Sequence, residues 1–124
     1  MSETIRAFVA IALPDDVIAR IGALQEDLRA EGLNFRWVRP QNIHLTLKFL
    51  GDISFDRVSE IEEMLLAAAV GQARPEIAAK GIGVFPTVKK PRVIWVGVSG
   101  QTERLRMLQQ TIEGHLAEAG FASE

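Results

Sequence analysis

The chain has 124 residues, 48% of them hydrophobic, and a formal net charge of −2. That length predicts one domain able to bury a core, and the near-neutral balance excludes a broad basic field for coating nucleic acid. The lack of cysteine excludes disulfides and thiolate metal sites, and no apolar run approaches the roughly 20 residues needed to span a bilayer, so no membrane partner and a cytoplasmic location are expected.

Ile5 to Leu13 is apolar and β-branched, which predicts a buried first strand rather than a signal peptide. Pro14-Asp15-Asp16 opens a helix, with proline and acids where a helix N-terminus favours them. Its Val17, Ile18, Ile21, Leu24 and Leu28 recur at helical spacing, and Gly32 is placed to end it. Phe35 to Val38 predicts a short strand, and Arg39-Pro40-Gln41 a turn. The next stretch, "NIHLTLKFLG" (Asn42 to Gly51), alternates: Ile43, Leu45, Leu47 and Phe49 are apolar, His44, Thr46 and Lys48 polar. That is the period of a half-buried strand, here expected to run to about Leu50 and close at Gly51-Asp52.

Ser54 is expected to cap a second helix, buried along Val58, Ile61, Leu65 and Ala68. Glu76 to Val84 predicts a strand, "FPTVKKPR" a loop, and Val93 to Val98 another strand. Thr102 is expected to cap a third helix with Leu105, Leu108, Ile112 and Leu116 inward and Gly120 at its end. Trp37 and Trp95 alternate with apolar neighbours and read as core.

On a strand, residues i and i+2 share a face about 6.6 Å apart, so His44 and Thr46 project together. Imidazole exchanges a proton near neutrality, a threonine hydroxyl donates to an anionic oxygen, and Lys48 adds positive charge on the same line. Such a set suits a phosphoryl centre, although a solvated strand face carries the same residue types. Lys89, Lys90 and Arg92 form a basic cluster that fits either RNA phosphates or a solvated loop. No phosphate-binding loop and no zinc-type histidine spacing is present, so no metal is expected.

"FVAIALP" (Phe8 to Pro14), "WVRPQNIHLTLKFLG" (Trp37 to Gly51) and "KKPRVIWVGV" (Lys89 to Val98) resemble the bacterial and archaeal RNA 2′,3′-cyclic phosphodiesterases. These are also called 2′-5′ RNA ligases and belong to the two-histidine phosphoesterase superfamily. The resemblance covers nearly the whole chain, in order. It implies a single domain over 1–124 of α+β class, two-lobed, with antiparallel sheets lining a cleft and helices outside, each lobe carrying one H-x-T/S motif. It implies hydrolysis of RNA 2′,3′-cyclic phosphate ends to 2′-phosphomonoesters, with ligation as a further activity and no cofactor. By that match His44 is the proton donor and Thr46 a catalytic donor to phosphate oxygen; Lys48, from its place on the same strand, and Arg92, within the matched block, are the expected substrate-binding residues.

The second motif is missing. The other histidine, His115, lies in "GHLAEAG", with Ala117 where the motif has Thr or Ser, and reads as a helix-surface residue. The domain is therefore expected to be C-terminally incomplete, and the chain much less active than an extended form. The alternative is a non-catalytic RNA or nucleotide-binding module on the same fold. A missing paired strand leaves an open sheet edge, which favours dimerisation.

Overall fold

A computed structural model describes residues 3–33 and 35–121. In chain order it contains β1 (Thr4–Ala12), α1 (Asp15–Ala30), β2 (His44–Ser54), α2 (Val58–Ala69), β3 (Ile77–Pro86), β4 (Pro91–Gly100) and α3 (Thr102–Glu118), with 3₁₀ turns at Pro40–Asn42 and Phe55–Arg57. β1 pairs with β2 and β3 with β4. Both pairs are antiparallel. The Phe55 N–H donates to the Glu3 carbonyl and Phe8 meets Phe49, so β1 and β2 run in opposite senses. The tight connection between β3 and β4 makes a hairpin, closed at its far end where the Gln101 N–H donates to the Glu76 carbonyl. Among the described residues no helix is long and apolar enough to cross a membrane.

The chain divides into two compact units, one of Met1–Ala10, Thr46–Glu76 and Gly100–Glu124, the other of Ile11–Leu45 and Ile77–Ser99. The first unit is built on apolar periodicity. α2 brings Ile61 and Ala68, α3 brings Ile112 and Leu116, and the sheet brings Val9 and Ile53 into one buried cluster. Arg57 ties the end of α3 to this unit. Its guanidinium donates to the Ala119 carbonyl at 2.8 Å and lies 4.5 Å from the centre of the Phe121 ring, a cation–π contact.

In the second unit α1 turns Ile21 and Gln25 inward. Gln25 Nε2 donates to the Val38 carbonyl at 2.9 Å. That bond holds the segment before β2, which has no regular structure at 35–38, where the residue pattern predicts a short strand. A segment with no neighbouring strand satisfies its backbone through side chains such as this one. Pro40 lies 3.4 Å from where a side-chain carbon on Gly22 would sit, so the turn packs at van der Waals distance over this position of α1.

Three further differences have physical causes. β2 continues to Ser54 instead of closing at Gly51, because Gly51 takes a left-handed conformation (φ 72°) within the strand and pairing resumes beyond it. Ser54 therefore starts the 3₁₀ turn and α2 begins only at Val58. Trp95 is 49% exposed instead of buried, its indole lying over Gly83 of the facing strand, where a side chain would overlap the ring.

Candidate active site

The second unit contains a hollow of about 440 Å³. α1 contributes Gln25 and Leu28 to its wall, the irregular segment contributes Trp37, β2 contributes His44, and β4 contributes Arg92 and Trp95. The local folding explains the arrangement. The Gln25 bond positions the Trp37 segment, Trp37 packs edge-on against Phe35 and under the Arg29 guanidinium, and the first half of β4 carries Arg92 and Trp95 to the lining. His44 is exposed at the start of β2. Aromatic surface, a guanidinium and an imidazole around one concave space match the chemistry of a phosphorylated, base-bearing ligand: the cation meets phosphate oxygens, the rings offer stacking faces, and the imidazole exchanges a proton.

Of the site residues expected from sequence, the structure thus brings His44 and Arg92 to one hollow. Thr46 is half-buried on β2, two residues after His44, and belongs to the first unit, as does Lys48; neither lines the hollow. Lys48 departs from its expected place on a wet strand face. It is 1% exposed and its ammonium donates to Glu113 Oε1 on α3 at 2.9 Å. The strand passes beneath a helix at this point, so a polar position in the alternation becomes an interior one. Phe49, expected to point inward, is 64% exposed. Lys89 and Lys90 stand exposed in the β3–β4 turn, where the Lys90 N–H donates to Thr87 Oγ1.

Sequence reading also missed Gln25, Gln109 and Glu113. Each is a polar residue on the inner side of an amphipathic helix, and that misfit with the helical pattern was the available signal. Gln109 Nε2 donates to the Leu47 carbonyl of β2 at 3.3 Å, one turn of α3 before Glu113. His115 lies half-buried on α3.

The description "LigT like Phosphoesterase" matches residues 11–95. The chain belongs to the LigT-like phosphoesterase family. It is 35% identical to the RNA 2′,3′-cyclic phosphodiesterase of Thermotoga maritima over 96% of its length, and 36% identical to that of Aquifex aeolicus, also over 96%. The chain spans 63% of the length of each of these curated relatives. Among solved structures, Escherichia coli LigT complexed with 3′-AMP superposes with a TM-score of 0.72 at 25% identity, covering 98% of this chain and 67% of the other. The α+β two-histidine phosphoesterase fold expected from the sequence is thus the fold observed. The matched LigT-like segment contains His44, Thr46, Lys48 and Arg92.

Proposed function

We propose that the chain carries the proton-donating half of an RNA 2′,3′-cyclic phosphodiesterase site, acting in the cytoplasm. The observation that carries this reading is His44, the first residue of an H-x-T motif, exposed on a hollow it shares with Arg92 and two tryptophans. In the reaction a water oxygen bonds to phosphorus and releases one proton to solvent, the bond from phosphorus to the ribose 3′ oxygen breaks, that oxygen takes the proton His44 gives up, and solvent reprotonates His44. The product is a 2′-phosphomonoester. Thr46 donates a hydrogen bond to a phosphate oxygen, and Arg92 neutralises charge on the substrate. Lys48 acts from within the protein and does not touch substrate. The names of the Thermotoga and Aquifex relatives support the reaction, and the 3′-AMP complex of the Escherichia coli protein supports a nucleotide-sized ligand.

Titration of the ¹⁵N-labelled chain with 2′-AMP, the minimal product, tests the site. Amide shifts are expected at His44, Thr46 and Arg92; shifts confined to other residues, or none, would refute it. Because the sequence holds one H-x-T and no second, a non-catalytic nucleotide-binding module remains the rival reading, which turnover measurements separate below.

A dimer through the second sheet belongs to the same proposal. Among the described residues no further strand pairs with the edges of the two-stranded β3–β4 sheet, which also exposes Ile82, Phe85 and Val98, an open edge and apolar surface of the kind that marks association. Light scattering at rising concentration is expected to show mass above the monomer's 13.7 kDa; a constant monomer mass would refute the dimer.

A further inference from the structure

We propose that Gln109 and Glu113 of α3 are positioning residues that clamp β2 immediately after Thr46. The inference rests on the proposed cyclic-phosphate reaction. The two residues are four apart on one helix face and hold consecutive residues of the strand: Gln109 takes the Leu47 carbonyl and Glu113 takes the Lys48 ammonium. Among the described residues β2 has a single hydrogen-bonded neighbour, β1. A strand paired on one side is free to roll and slip unless something holds the other side. Gln109 supplies the bond at Leu47 that a second neighbouring strand would otherwise make, and Glu113 adds an ionic anchor one residue on.

Stability alone is a poor reason for this arrangement. Around it the unit's core is apolar, and a buried ion pair there is commonly matched or exceeded in stability by well-packed hydrophobic residues. The pair also leaves Glu113 Oε2 buried without a hydrogen-bond partner among the described residues. What an ion pair and a directional hydrogen bond supply, and a methyl group does not, is a fixed register. Leu47 and Lys48 directly follow Thr46, so holding the backbone at 47 and the side chain at 48 restrains the strand segment that carries the Thr46 hydroxyl. A donor displaced by about 1 Å from its working position loses as much as 10²-fold in rate.

Gln109→Met tests this, because methionine keeps the length and helix preference of glutamine and lacks the donor. Lys48→Met/Glu113→Leu is the second variant, removing the ion pair while keeping the interior filled. In each, kcat on adenosine 2′,3′-cyclic phosphate is expected to fall roughly tenfold, with KM within about twofold and the fold retained. In Gln109→Met, amide hydrogen exchange at residues 45–48 is expected to rise roughly fivefold, as loss of one hydrogen bond implies, while α2 exchanges as before. Wild-type kcat in both variants, or unchanged exchange at 45–48, would overturn the clamp. A wild-type chain without turnover, but with the local rise in exchange, would retire the reaction and leave the clamp standing.

Discussion

Replacing Glu113 by leucine is expected to destabilise the protein by about 3 kcal/mol or more, because it removes the carboxylate that pairs with a buried ammonium. Lys48 is 1% exposed, and the side chain that neutralises it is itself 15% exposed. The Coulomb attraction at their 2.9 Å separation is therefore poorly screened. For a chain of this size the loss corresponds to a melting temperature lower by roughly 10 °C or more. The double substitution Lys48→Met/Glu113→Leu removes the ammonium together with its partner and is expected to recover most of that stability, since both charges then escape desolvation. The two single variants and the double form a thermodynamic cycle whose interaction energy is read from denaturant or thermal unfolding. A Glu113→Leu protein as stable as wild type would refute the pairing, and a double variant no better than the single would refute the account of its energy.

The same residues show where sequence reading reaches and where it stops. Helix faces were legible because they repeat every 3.6 residues against a common core: the stripes at Val58, Ile61, Leu65 and Ala68, and at Leu105, Leu108, Ile112 and Leu116, all turn inward or lie part-buried in the structure. The family was legible because "NIHLTLKFLG" and its flanks occur in order. Lys48 was not, since strand alternation says which residues share a face and not which element lies over that face. Its partner is 65 residues away in sequence, a separation no local period spans. Gly51 was read as a stop because glycine commonly punctuates strands; here its left-handed φ of 72° lets the strand bend and go on. The segment at 35–38 failed for the complementary reason. Its residues have strand character, yet among the described residues no strand pairs with them, and Gln25 satisfies a carbonyl there instead.

The largest effect on function is expected from His44→Ala. Leaving-group protonation by a positioned acid contributes roughly 10²- to 10⁴-fold in rate, and the hollow offers no other imidazole among the residues lining it. Turnover of adenosine 2′,3′-cyclic phosphate to 2′-AMP, followed by chromatography, is therefore expected to drop by about 10²-fold or more in the variant. His44 is exposed at the end of its strand, so the substitution leaves no cavity and the variant is expected to fold and melt as wild type does. Affinity for 2′-AMP separates the two readings of the site. An acid that acts chiefly in the transition state can be removed with little loss of product binding, so retained affinity with lost turnover supports the enzyme. Lost affinity in the variant, with no turnover by the wild type, supports a binding module. Equal rates in wild type and variant would remove His44 from the chemistry, and the functional reading of the H-x-T motif with it.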